Sequence, residues 1–136
     1  MKTKILTLLL AAVCVLGGAF SVRAEKKPNP GIQFTEKEYD FGTFKEEKGK
    51  VSHEFEFTNT GNAPLLILSA SASCGCTRPD YPTHPVKPGK SGTIKVTYNP
   101  AGRPGEFTKT ITVRTNIKGK GKKVTLKIRG NVIPKK

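Results

Sequence analysis

The chain has 136 residues, with 24 Lys and Arg against 10 Asp and Glu, a formal net charge of +14 and three cysteines. That length allows one domain with a modest core and excludes a large enclosed ligand cavity. No internal repeat or low-complexity block divides it.

The N-terminus reads as an export signal. Met1-Lys2-Thr3-Lys4 is a short basic segment, Ile5 to Phe20 is uncharged and mostly apolar, and Val22-Arg23-Ala24 ends in a small residue. This pattern predicts a signal peptide over residues 1–24, cleaved after Ala24. Cys14 lies inside the apolar stretch and leaves with it. The expected location is the periplasm, the cell surface or the medium, where thiols tend toward disulfides. Residues 25–31, with Lys26, Lys27, Pro28 and Pro30, read as a linker. Residues 32–133 form the domain and 134–136 a basic tail.

The domain reads as strands because its apolar residues recur at period two. Ile32 and Phe34 begin a short first strand. Tyr39, Phe41 and Phe44 mark an edge segment that changes sheet. Val51, His53, Phe55 and Phe57 alternate with Ser52, Glu54, Glu56 and Thr58, which predicts a half-buried strand with an acidic outer face. On this reading His53 lies on the inward row and is satisfied in the core. Asn59-Thr60-Gly61-Asn62 is a turn by composition. Leu65-Leu66-Ile67-Leu68 is a continuous apolar run and predicts a central strand covered on both sides. Pro79, Pro82, Pro85 and Pro88 then mark an irregular stretch, since proline is excluded from central strands. Ile94, Val96 and Tyr98 mark the next strand. Phe107, Ile111 and Val113 mark another, and Val124, Leu126 and Ile128 the last, joined to it by the Lys118–Lys123 hairpin. About seven short antiparallel strands at this spacing predict an all-β, immunoglobulin-like sandwich.

Chemistry concentrates at Cys74-Gly75-Cys76. In a fully extended strand the two Cα atoms stand about 6.6 Å apart, close to the upper limit for a disulfide. Pairing therefore predicts a bend, which the sequence places at Gly75, the residue that accepts unusual φ. A ring so small is expected to be strained and easily reduced. Three states compete: a local disulfide that fixes a turn, a thiol pair holding a soft metal, and a thiol–disulfide exchange site. Two thiolates suffice for Cu(I). Zinc needs four ligands, and His84 in the proline-rich loop is the candidate third. Exchange fits less well, since the usual redox motif has two intervening residues at a helix N-terminus. No Ser/His/Asp order, phosphate-cradling loop or acidic pair stands out, so the chain reads as non-enzymatic.

Charge is the second feature. Residues 25–73 carry a net charge of −2 and residues 74–136 one of +13. Arg114, Lys127 and Arg129 are expected on one outward face of the last hairpin, near Lys118, Lys120, Lys122 and Lys123. Such a face suits an anionic partner: an acidic envelope protein, an acidic glycan or an anionic lipid surface. Tyrosines do not interleave with these residues, which argues against nucleic acid. The domain is expected as a monomer or as a module in an assembly.

Several elements recur in a fixed order: Tyr39-Asp40-Phe41-Gly42-Thr43, Phe57-Thr58-Asn59-Thr60-Gly61-Asn62, Pro64-Leu65, Cys74-Gly75-Cys76-Thr77, Pro88-Gly89-Lys90 and Val113-Arg114-Thr115-Asn116. Together they resemble the bacterial domain of unknown function 1573, common in exported proteins of Bacteroidota. That family is similar to the immunoglobulin-like domains shared by major sperm protein, Hydin and centrosomal proteins. The resemblance spans roughly residues 32–133. It implies an exported immunoglobulin-like module and carries over no catalytic residues. The chain is expected to act as a binding or structural module of the envelope, by adhesion or by scaffolding a partner through a sheet edge.

Overall fold

The structure is a computed structural model that describes residues 27–136. The expected signal peptide and Cys14 lie outside the described residues. The chain forms eight strands: β1 (Gln33–Phe34), β2 (Glu38–Lys45), β3 (Val51–Thr58), β4 (Ile67–Ala72), β5 (Thr77–Asp80), β6 (Ser91–Tyr98), β7 (Gly105–Thr115) and β8 (Lys123–Ile133). They make two four-stranded sheets, ordered β1-β3-β6-β5 and β2-β8-β7-β4. The all-β sandwich predicted from period-two alternation is therefore the fold.

The core is made by the alternating rows themselves. Phe55, Phe57, Ile94 and Val96 from the first sheet and Ile111, Val113, Leu126 and Ile128 from the second are fully buried. At roughly 1.5–3 kcal/mol per fully buried side chain, these rows drive the two sheets together. Their partners on the other parity are mostly polar and more exposed, which lets each sheet face water on one side.

Four expectations change in detail. One pair is parallel: β2 runs alongside β8, with a register shift between Asp40 and Thr43. The shift coincides with Gly42 at φ 71°. The Leu65–Leu68 run is not a central strand. Leu65 bridges to Val86, and β4 begins at Ile67 on the edge of the second sheet, leaving Leu68 54% exposed. Every strand of a two-layer sandwich has only one covered face, so a continuous apolar run must expose part of itself. The proline-rich stretch contributes a strand, β5, with Pro79 opposite Val96. Proline is tolerated there because β5 is an edge, where a missing N–H leaves no partner unpaired. Finally, Asn29 to Gly31, read as linker, are fastened into the domain. The Asn29 N–H donates to Asn62 Oδ1 (2.8 Å) and the Gly31 N–H to Asn59 Oδ1 (3.2 Å).

The chain changes sheet five times, and two of these crossings run from edge strand to edge strand. In these two it passes from β1 to β2 through Thr35–Lys37, and from β4 to β5 through Ser73–Cys76. The β4–β5 crossing contains both cysteines.

Candidate functional site

The cysteine corner is built where β4 ends. Ser73 is the last residue tied to the second sheet: its N–H donates to the Thr110 carbonyl (3.0 Å), and its Oγ accepts from the Thr110 N–H (3.3 Å). The chain then turns, and the Thr77 N–H donates to the Cys74 carbonyl at 3.3 Å. Cys74 and Cys76 have Cα atoms 5.4 Å apart, with their sulfur atoms in bonding contact. The Cys76 N–H points at Cys74 Sγ (3.1 Å). The Cys76 carbonyl accepts from the Asn99 N–H (2.8 Å), fixing the corner to the end of β6. Cys76 is 4% exposed, whereas Cys74 is half-buried.

Gly75 does not supply the bend in the expected way. Its φ is not in the positive region, and a Cβ placed on it would meet nothing within 4 Å. Gly75 and Cys76 are the two central residues of the turn, and neither has a positive φ. That combination fits a type I turn, which most residues accept. The shortening from the extended distance comes from this ordinary turn, not from glycine's special freedom.

The two histidines have separate surroundings. His84 is exposed and lines a shallow depression of about 380 Å³ with Asp80, Tyr81 and the β6 residues Ser91, Gly92, Thr93 and Lys95. Neither cysteine lines it. Among the described residues no three or more His, Cys, Asp and Glu side chains converge, so His84 does not complete a three-ligand set with the cysteines. His53 is not enclosed in the core but sits at the margin of the sandwich. Its Nε2 is hydrogen-bonded to Glu36 Oε1. Its ring stacks on Tyr39 at 3.6 Å between centroids. These contacts hold the first sheet crossing, since Glu36 lies within it.

The basic residues divide into two groups. The parallel register sets Glu38 beside Lys127 and Asp40 beside Arg129. Lys127 Nζ lies 3.7 Å from Glu38 Oε1, and Arg129 Nε 3.3 Å from Asp40 Oδ2. These two cations are thereby locally neutralised, and exposed pairs of this kind contribute no more than about 1 kcal/mol. Arg114 faces Lys123 across the β7–β8 pair. Lys118, Lys120 and Lys122 stand exposed in the hairpin loop, and none of these five is ion-paired among the described residues.

Composition marked Asn59 only as a turn residue, but it is fully buried. Its Nδ2 donates to the carbonyls of Ala63 (2.8 Å) and Val86 (2.9 Å). Its Oδ1 accepts from Gly31 and from Gly61 (3.0 Å). Gly61 is required here, because a Cβ would stand 2.4 Å from both the Asn29 carbonyl and the Gly31 nitrogen. Asn116 acts similarly: Oδ1 accepts from Leu66 N–H (2.8 Å), and Nδ2 donates to the Pro64 carbonyl (3.2 Å). The available sequence signal was the Asn-Thr-Gly-Asn spacing itself; several of its partners lie in loops far away in the chain.

The sequence suggests partner binding at a sheet edge without locating it, and the structure shows an open one. β4 pairs β7 only from Thr115 to Ile111, and the Ser73 contact extends this to Thr110. Beyond that point β4 has left the sheet, and β7 continues to Gly105 with β8 alone beside it. Thr110 turns its N–H and carbonyl toward β4. By the alternation of an antiparallel strand, Thr108 and Glu106 present theirs to the same, vacated side. Both residues are exposed.

Comparison with known proteins agrees with this architecture. The family described as "Protein of unknown function (DUF1573)" matches residues 32–132. No curated protein matches the sequence. A protein of unknown function from Porphyromonas gingivalis W83 superposes with a TM-score of 0.68 at 15% identity, covering 80% of this chain and 50% of that one. The chain thus spans about half the length of that protein. The ASH/PapD-like domain 7 of human CEP192 gives a TM-score of 0.61 at 16% identity, over 88% of this chain and 96% of the domain. The YadV chaperone gives 0.53 at 16% identity, over 74% of this chain and 51% of the chaperone. These similarities show the fold. The family match extends over most of the chain, and the chain belongs to that family.

Proposed function

We propose that this member of the DUF1573 family is an exported, non-enzymatic binding module of the cell envelope. On this reading it receives an extended segment of a partner protein at the open edge of β7. The observation that carries the reading is the early departure of β4, which leaves the main chain of Glu106 and Thr108 facing an unoccupied strand position. An added strand gains main-chain hydrogen bonds there, and alternate side chains give it selectivity. Export rests on the basic and apolar leader pattern of residues 1–24.

The test is capture of partners from an envelope extract by the wild-type protein and by Thr108→Pro. The Thr108 N–H points away from β8, so proline there removes an open-edge donor and leaves the β7–β8 ladder intact. Loss of capture by a still-folded variant supports the edge. Equal capture by both proteins removes it.

The contact between the two sulfurs, with Cys74 half-buried and within reach of solvent, favours a second reading. In it Cys74 and Cys76 form a disulfide that opens to a thiol pair for exchange or Cu(I) binding. Intact mass and thiol titration, with and without Cu(I), decide this. A protein that stays oxidised under mild reductant and ignores Cu(I) leaves the pair a structural clip.

A further inference from the structure

Four chain segments meet at the end of the sandwich opposite the cysteine corner. They are the N-terminal segment and the β3–β4, β5–β6 and β7–β8 loops. Hydrogen bonds fix this juxtaposition. Lys118 N–H donates to Asn29 Oδ1 (3.3 Å), Gly89 N–H to the Asn59 carbonyl (2.8 Å), and Asn59 N–H to the Lys90 carbonyl (2.9 Å). Leu65 and Val86 exchange main-chain bonds at 2.8 Å in both directions.

These segments carry seven lysines: Lys27, Lys87, Lys90, Lys118, Lys120, Lys122 and Lys123. All seven are exposed. Not one Asp or Glu lies in residues 27–35, 58–66, 81–91 or 116–123, and none of the seven lysines is ion-paired among the described residues. The sequence places all of these lysines except Lys27 after residue 74, without showing that they share one end. It also groups Lys127 and Arg129 with them, which the structure instead pairs with Glu38 and Asp40.

We infer that this lysine end docks on an anionic phospholipid surface. Two observations favour lipid over an acidic protein or glycan. Seven of the cations are lysine, a compact point charge without the bidentate fork that arginine offers a defined carboxylate or phosphate, and Arg114 beside Lys123 is the one arginine among them. Such charges suit a diffuse negative surface. Secondly, the 26 residues outside the described structure, including the uncharged run Ile5–Phe20, join the domain at this same end, through Asn29. Until the leader is cleaved, a chain emerging there brings the lysines toward the bilayer. The cysteine corner and the open β7 edge are then held away from it, free for a partner. This inference deepens the envelope-module reading and rests on its export.

Both sheets and their shared core lie within residues 27–136, so the test uses purified residues 25–136, the chain expected after cleavage. The probes are vesicles of phosphatidylcholine alone and vesicles with one-third phosphatidylglycerol. Sedimentation should carry the protein only with the anionic vesicles, and raising salt from about 0.05 M to about 0.5 M should release it. A lysine near an anionic surface strengthens binding about fivefold. Replacing Lys118, Lys120, Lys122 and Lys123 by Ser should therefore weaken binding on the order of a hundredfold. A control replaces Lys45, Lys48, Lys50 and Lys135, four lysines away from this end, and should change it less than about threefold. Equal losses in the two variants overturn the inference, because net charge alone then accounts for binding. Binding to an acidic polysaccharide but not to anionic vesicles also overturns it. Absent vesicle binding alongside edge-dependent capture of a partner protein rejects this inference and leaves the module reading standing.

Discussion

The two ends of the sandwich are closed by different means. The lysine end is sealed by side-chain amides: Asn29, Asn59, Asn62 and Asn116 link four loops through directed hydrogen bonds. The cysteine end is sealed by rings and sulfur. Tyr98 stacks on Phe107 with centroids 3.9 Å apart, and Phe41 and Phe44 pack against Phe107 at 6.5 and 6.2 Å. Loops leave many backbone groups without ladder partners, so their burial requires a close donor–acceptor match. Strand ends packed by rings require mainly volume and shape. The amide end is therefore intolerant of isosteric change, and the aromatic end is tolerant of it.

This contrast can be tested from its largest consequence downward. Phe107→Ala should cost about 3–5 kcal/mol in denaturant unfolding, the usual range for emptying a buried aromatic site. Phe107→Leu should recover more than half of that. The ring also covers Gly130, where a Cβ would stand 2.8 Å from two ring carbons. Gly130→Ala should therefore cost less stability when combined with Phe107→Leu than when made alone.

Asn59→Ala should cost roughly 3 kcal/mol, because it strands the Gly31 and Gly61 N–H groups and the Ala63 and Val86 carbonyls. Here the near-isosteric Asn59→Asp should rescue little, since a carboxylate cannot donate to the two carbonyls. If Asp restored the stability lost by Ala, the contrast between the ends would fail.

Tyr98 offers a pH handle at the aromatic end. Burial pushes its phenol above the usual 10.0, and the Arg103 charge opposes that shift without cancelling it. The folded state thus holds the proton more tightly than the unfolded chain. Stability should be level below about pH 10 and should fall as pH rises through the folded-state pKa. Tyr98→Phe should abolish that alkaline loss in unfolding curves measured across this range.

At the crossing itself, Cys74→Ser with Cys76→Ser should cost about 1–2 kcal/mol, because a two-residue separation closes almost no loop. Gly75→Ala should cost less than about 0.5 kcal/mol, as expected where φ is not positive and the Cβ has open space. A large loss for Gly75→Ala would restore the glycine-dependent bend that the turn geometry replaces.

Alternation made the fold legible. Val51 to Thr58 and Val124 to Arg129 place their apolar residues on one face whatever the rest of the chain does. The Leu65–Leu68 run misled because a continuous apolar stretch has no period, and neighbours decide which faces are covered. Pro79 misled for the opposite reason, since its position on an edge is a property of the sheet. The cysteine pair was visible as a chemical centre, but its turn type was not, because Gly75 permits every conformation and specifies none.

Strand content and the two-layer architecture are written locally, in period-two alternation. Tertiary structure alone decided which charges pair and which remain free. Lys127 and Arg129 look like part of the basic face until the parallel placement of β2 sets Glu38 and Asp40 beside them. Lys27, Lys87 and Lys90 look scattered until buried Asn59 gathers their loops and Asn29 ties them to the Lys118 hairpin. The physical reason is the range of the interactions. Backbone sterics and side-chain alternation act over a few residues, whereas Coulomb pairing and amide hydrogen bonds depend on distances that exist only once distant strands have met.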